Sequence, residues 1–194
     1  MVSLKVGNER VSFKNIIKDD LPEVLHWYNK LDEYMFATGI DRYLTLDEMN
    51  EKYNETAVSS YDFFVWIINE HNQKIGILKG SMKYQEKDSL WINSILIDSE
   101  YRRRGYGRIV IELITEYTRE KFGIAKAFVS VVEDNKEAIS FWHNLEFRPI
   151  KKLEKHLIIG GISRNIIIMQ NTRKNCSSEN SSKNIVVNPT SNVL

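Results

Sequence analysis

The chain of 194 residues holds a single cysteine, Cys176. One thiol cannot close an intramolecular disulfide, so no oxidised framework holds this protein together. Its three prolines and nine glycines are too few for a collagen-like or low-complexity chain. Long apolar runs are missing as well. No stretch approaches the ~20 apolar residues of a spanning helix, and the opening MVSLKVGNER lacks the apolar segment of a secretory signal. A cytoplasmic protein with no membrane partner is expected. Charge of one sign is scarce: 27 Lys and Arg stand against 26 Asp and Glu, a formal net charge of +1. That balance withholds the basic excess of a nucleic-acid binder. The histidines at 26, 71, 143 and 156 have no ligand spacing, so no metal site is expected.

What is present suits one globular domain, expected over 1–170. Hydrophobic residues make up 42% and charged residues 27%, and this length can bury a sizeable core. From Asn171 the composition changes: eleven of the last 24 residues are Asn or Ser. A disordered tail over 171–194 is expected, with Ile185-Val186-Val187 as its only apolar cluster.

The pattern alternates strands and helices. Val11–Lys18 is β-prone. Asp19 or Asp20 can cap a helix with Pro22 in its first turn, and Leu21, Val24, Leu25, Tyr28 and Leu31 recur at helical spacing. Thr45 and Glu48 form a capping box for a second helix. The segment between them, DEYMFATGIDRYL, reads as an acidic and aromatic loop. Strands are expected over 61–69 and 74–83, joined as a hairpin, and over 89–98, 125–132, 147–153 and 162–169. A helix is expected over about 106–121 with Ile109, Val110, Leu113, Ile114 and Tyr117 on one face. Another follows Asp134 or Asn135, with Ala138, Ile139, Phe141, Trp142 and Leu145 inward.

The most informative stretch is Tyr101–Ile114, YRRRGYGRIVIELI. A strand leads into three arginines and two glycines, and a helix follows. A helix N-terminus offers unpaired N–H groups and partial positive charge, and glycine lets the backbone turn and approach a ligand. The arrangement suits a phosphate or pyrophosphate. A plain turn flanked by solvated arginines is the alternative. A Walker A loop is absent, and a dinucleotide fingerprint fails because Val110 stands where the third glycine belongs.

Arg102-Arg103-Arg104-Gly105-Tyr106-Gly107 matches the [QR]-x-x-G-x-[GA] motif of the GNAT superfamily of acetyl-CoA-dependent N-acetyltransferases. The flank I-L-I-D-S-E-Y-R and the later N-K-E-A-I-S-F-W-H-N-L-E-F also resemble that family, from about Val11 to Met169. The resemblance implies an α+β, three-layer fold: a mixed, mostly antiparallel seven-stranded sheet with about four helices and two central strands that splay apart. Acetyl-CoA would lie in the V between them, and no metal is implied. Backbone groups of Ile95, Leu96 and Ile97 would pair with its pantetheine arm. Amides from Arg103 to Arg108 would hold the pyrophosphate, with Arg102 and Arg104 in the same motif. Gly105 and Gly107 would keep Cβ atoms away from the phosphates. Asn135 would bond the cofactor, and Lys136 would either approach the phosphates or stay solvated.

Two departures bear on catalysis. The position of the family's tyrosine acid holds Trp142, which can pack against the cofactor arm but cannot give up a proton at neutral pH. The family's Gly-Phe reads Glu146-Phe147. On the fourth strand, where a carboxylate base is common, stand Trp91 and Asn93. Other candidate bases are Glu33, Asp41, Glu86 and Asp88, with Asn93, Glu33 and Trp142 the weak candidates for catalytic residues. Asp32, Glu33, Tyr34, Phe36, Asp41 and Tyr43 suit a cationic amine through ion pairing and cation–π attraction. They serve equally as the anchors of a folded loop. The implied function is acetyl transfer from acetyl-CoA to a primary amine: a small molecule, an aminoglycoside-like or polyamine substrate, or a protein N-terminus. Positioning and oxyanion stabilisation would do most of the work, with the N–H near Leu96 or Ile97 as donor. The alternative is a catalytically weak acyl-CoA sensor. The family often forms homodimers.

Overall fold

A computed structural model describes residues 1–83 and 88–171. The elements run β1 (Val11–Asn15), α1 (Leu21–Tyr28), α2 (Leu31–Thr38), α3 (Leu46–Val58), β2 (Asp62–Asn69), β3 (Lys74–Lys83), β4 (Ser89–Ile97), α4 (Tyr106–Phe122), β5 (Ala127–Val132), α5 (Lys136–Asn144), β6 (Phe147–Ile159) and β7 (Ile162–Asn171). They form one seven-stranded sheet in the order β1-β2-β3-β4-β5-β7-β6. Only β4 and β5 pair in parallel. Mixed pairing, a mostly antiparallel sheet and helices on both faces match the expected fold.

β2 shows why three layers form. Its residues DFFVWIIN are buried on both faces after the first. Phe63, Val65 and Ile67 join one core with Val110 and Ile114 of α4 and Trp142 of α5. Phe64, Trp66 and Ile68 join the other with Val24 and Trp27 of α1, Tyr34 of α2 and Met49 of α3. Strict alternation along a strand hands every second side chain to the opposite layer.

Four expectations change. There are five α-helices rather than about four, because much of the expected loop is α2. Its Asp32 and Glu33 suit a first turn, and Gly39, at φ 71°, ends it in the left-handed conformation. The predicted first helix stops at Tyr28. Asn29 then ties the chain down, accepting from the Leu44 N–H at 2.8 Å and donating to its carbonyl at 3.0 Å. β6 reaches Ile159, well past position 153, because Gly160 and Gly161, both at positive φ, make a tight turn into β7. Asn171, placed at the start of the expected tail, ends β7 opposite Phe147. Positions 172–194, including Cys176 and Ile185-Val186-Val187, lie outside the described residues, as does Glu86.

Candidate active site

β4 and β5 pair over three residues only, Leu90 with Ala127, Trp91 with Phe128 and Ile92 with Val129. Beyond that point β4 continues to Ile97 and β5 to Val132 with no pairing between them. The cleft that opens there measures about 1090 Å³ and is walled by Asn93, Ile95 and Ile97 on one side and Val129, Ser130 and Val131 on the other.

Asn93 starts the divergence. The β3–β4 register steps from Lys79–Ser94 to Gly80–Ile92, so Asn93 has no partner and forms a bulge. The bulge also exchanges faces. Leu90 and Ile92 lie in the α4-side core before it, whereas Ile95 and Ile97 pack there after it and Leu96 turns to the α1–α3 side. Backbone direction follows. The Asp98 N–H donates to the Ile75 carbonyl at 3.0 Å, and a Cβ on Gly76 would collide with the Leu96 carbonyl. Leu96 and Asp98 therefore face β3, while Ile95 and Ile97 present their backbone groups to the cleft. Leu96, expected beside the cofactor, is committed to β3 by its backbone and to the core by its side chain. Trp91, expected on the catalytic face, stacks on Phe128 with ring centres 5.0 Å apart, in a separate hollow that also holds Asp88.

At the cleft's other wall the chain turns through Arg103 at φ 62° and Gly105 at φ 85° before α4 starts. The first α4 bond runs from the Ile109 N–H to the Gly105 carbonyl at 3.2 Å. The N–H groups of Tyr106, Gly107 and Arg108 thus precede the helical ladder. The N-cap offers no side-chain bond and the first turn holds no carboxylate. The contrast is α3, whose first turn is closed by Thr45 and Glu48. An anion fits the open end of α4. The two glycines have different reasons. Gly105 has open space around it but needs a positive φ, whereas a Cβ on Gly107 would lie 3.1 Å from the Phe141 ring of α5. The expectation that Gly107 spares only the phosphates missed this helix contact.

The arginines divide. Arg103, Arg108 and Lys136 line the cleft. Arg103 pairs with Glu137 at 2.7 Å, and Arg108 donates to the Asn144 carbonyl at 2.9 Å. The Arg104 guanidinium lies over the Tyr101 ring, and the Tyr106 hydroxyl donates to the Glu70 carboxylate, so neither side chain faces the cleft. Arg102 donates through Nε to the Ile97 carbonyl at 2.8 Å and through NH2 to Glu33 at 2.7 Å. Asn135 caps α5, its Oδ1 accepting from the Ala138 N–H at 3.0 Å, which leaves Nδ2 as its donor for a ligand. Trp142 borders the cleft but is 3% exposed, edge-on to Phe141 and Phe147. Packing, not proton transfer, is its evident work.

The other end of the cleft is formed by α2. Asp32, Glu33, Tyr34 and Phe36 line the cleft there. Tyr34 donates to the Ile97 carbonyl at 3.2 Å, and burial pushes its phenol up to about 12. Glu33 is tied to Arg102, and Asp134 to Arg164. Asp32 makes no ion pair among the described residues. Two expected members are elsewhere: Asp41 accepts from the Gly160 N–H at 2.7 Å, and Tyr43 is 71% exposed away from the cleft. The sequence reading overlooked Ser94, which lines the cleft and hydrogen-bonds the buried Tyr28, whose phenol is likewise pushed up to about 12 by burial. The bulge at Asn93, which sets Ser94's direction, leaves no mark in hydrophobic periodicity.

A sheet split by an unpaired strand edge, with an open helix N-terminus across the gap, makes a cleft shaped for an extended ligand that carries negative charge at one end. The sequence matches the Acetyltransferase (GNAT) family over residues 24–147, and the chain belongs to that family of acyltransferases. The spermidine N-acetyltransferase from Vibrio cholerae, solved with CoA and spermine, is similar in fold: TM-score 0.74 and 19% identity, covering 84% of this chain and 95% of that one. A chimera of that Vibrio cholerae enzyme and hSSAT gives 0.72 at 18% identity, over 83% and 94%. Mutant forms of the spermidine/spermine N-acetyltransferase from Vibrio cholerae give 0.69 at 18%, over 84% and 94%.

Proposed function

We propose that this chain moves the acetyl group of acetyl-CoA directly to the primary amine of a cationic acceptor. The observation that carries the reading is the end of β4–β5 pairing at Ile92 and Val129. It leaves the β4 edge and the open α4 terminus facing one cleft. Ile95 and the Ile97 N–H offer backbone groups to the pantetheine amides. The N–H groups of Tyr106, Gly107 and Arg108 receive the pyrophosphate, with Arg103, Arg108 and Lys136 supplying positive potential. Asn135 Nδ2 is a further donor. The acceptor enters along α2, where Asp32 attracts its positive charge and Phe36 offers a ring face.

The amine nitrogen adds to the thioester carbon to give a tetrahedral intermediate, which collapses as the C–S bond breaks and CoA leaves as thiol or thiolate. Along the cleft edge of β4 stand Asn93 and Ser94, neither able to take a proton as a carboxylate would. The amine proton leaves through water, toward bulk or toward the Asp32 and Glu33 carboxylates that line the cleft, and an N–H from Ile95 or Ile97 stabilises the oxyanion. Rate comes chiefly from holding the two reactants together. The fold's likeness to a protein solved with spermine puts polyamines first among acceptors.

The test is CoA release, followed with a thiol-reactive dye, against spermidine, an aminoglycoside, streptothricin and peptides with free Ala, Ser or Lys. Turnover with the polyamine and not with the peptides supports the reading. Silence across the panel, with acetyl-CoA bound, sinks it. Silence would favour the second reading, an acyl-CoA sensor, which draws support from the burial of Trp142 where the family carries a tyrosine.

A further inference from the structure

The Ile97 carbonyl is the last backbone acceptor on the cleft edge of β4, and it is already doubly occupied. Arg102 Nε reaches it at 2.8 Å and the Tyr34 hydroxyl at 3.2 Å. The other arm of the same guanidinium holds Glu33 at 2.7 Å. Its plane also lies 5.2 Å from the centre of the Tyr34 ring. Glu33 and Tyr34 both belong to the first turn of α2, and Arg102 follows the end of β4 by five residues. One side chain therefore ties the acceptor-side helix to the donor-side strand.

We propose that Arg102 is a positioning residue that fixes α2 on β4, not a ligand of the donor's phosphates. This inference rests on the acetyl-transfer reading of the same cleft. It assigns a separate duty to the first residue of the motif that otherwise serves the pyrophosphate. A guanidinium is suited to it because its rigid planar fork serves a carbonyl and a carboxylate from separate nitrogens in fixed directions, whereas a lysine must reach both from one nitrogen on a flexible stem. The assignment also limits the donor's pairing on β4. With the Ile97 carbonyl occupied, Ile95 carries the β4 acceptor open to the pantetheine, and Ile97 keeps only its N–H. Donor and acceptor then sit at a distance set by one bond network, and a small slip of α2 would separate the reacting atoms.

Three variants decide it: Arg102→Ala, Arg102→Lys and Glu33→Gln. Lysine keeps the charge a phosphate would feel but loses the fork, and Glu33→Gln keeps the motif intact. Each is read by acetyl-CoA Kd from calorimetry, by hydrogen exchange of the amides in α2, and by kcat and KM for the amine. Arg102→Ala and Arg102→Lys are expected to leave Kd within about twofold while speeding α2 exchange and costing roughly 10- to 100-fold in kcat/KM for the amine. Glu33→Gln is expected to move the same readouts in the same direction by less, because both partners are about one-third exposed. A tenfold or greater weakening of acetyl-CoA in Arg102→Ala, spared in Arg102→Lys, with α2 exchange unchanged, would overturn the proposal. Should the wild-type chain turn over no amine, the acetyl-transfer reading fails alone, because Kd and exchange still decide the clamp.

Discussion

At the phosphate end of the cleft the shape comes from backbone: a left-handed Arg103, a left-handed Gly105, and three N–H groups ahead of the α4 ladder. At the acceptor end it comes from side chains: Asp32 without an ion-pair partner, Glu33 held by Arg102, and Tyr34 buried against Trp27. The two ends therefore respond to substitution differently. A backbone-built site tolerates changes of side chain and fails when a Cβ is added or φ is forced. A side-chain-built site can be retuned residue by residue, which is where acceptor preference would change within one fold.

The largest effect is expected at the backbone end. Gly107→Trp puts an indole where even a Cβ would lie 3.1 Å from the Phe141 ring. Acetyl-CoA binding should become undetectable by calorimetry, and Tm should fall as α4 and α5 are forced apart. Full-strength binding would show that the N–H groups of α4 are not the phosphate site. At the side-chain end, Asp32→Asn should leave acetyl-CoA Kd unchanged and raise the amine KM on the order of 10-fold, the loss of one charge-assisted contact. Equal weakening of both substrates would erase the distinction between the two ends.

The loop ahead of α4 was legible in the sequence because its geometry is local. Three arginines, two glycines and a helical period sit within one short stretch, and their φ angles follow from residue type. The acceptor end was not. LDEYMFAT carries no clear apolar stripe, and α2 exists because Tyr34 docks on Trp27 and Ile97, residues distant in sequence. Along β4 a simple alternation placed Trp91 with Asn93, whereas the bulge at Asn93 sends Trp91 to Phe128 and turns Leu96 away from the cleft. Asp41 looked like a free carboxylate until the β6–β7 turn came to meet it. Tertiary partners decided each of these, and no window of sequence contains them.

A middle-sized effect concerns the two buried phenols that brace the acceptor side, Tyr28 and Tyr34. Both are raised by burial from 10.0 to about 12. In the unfolded chain they lose protons first as pH rises, so their contribution is intact below pH 10 and declines as pH climbs toward about 12. Tm should be flat from pH 8 to 9.5 and drop steeply by pH 11, the window those values set. Tyr34→Phe should make that drop shallower while speeding exchange in α2, since it also removes a donor from the Ile97 carbonyl. An alkaline transition identical in the variant would mean that Tyr34 does not couple the helix to the strand.

The smallest effects turn on φ itself. Gly105 sits at φ 85° with no atom within 4 Å of an added Cβ, so Gly105→Ala tests conformation alone. It should cost about 1 kcal/mol, read as a Tm decrease of a few degrees, with the cleft otherwise unchanged. Glu146 offers the reverse experiment. It follows α5 at φ 64°, where the family carries glycine, and its N–H donates to the His143 carbonyl at 3.0 Å. Glu146→Gly relieves a left-handed strain of the same kind and should raise stability by somewhat less than about 1 kcal/mol, because the unfolded chain gains freedom. Opposite signs for the two changes would establish that left-handed backbone conformation dominates the stability effect at both positions. A loss in both would mean that the Glu146 side chain contributes contacts that outweigh its strain.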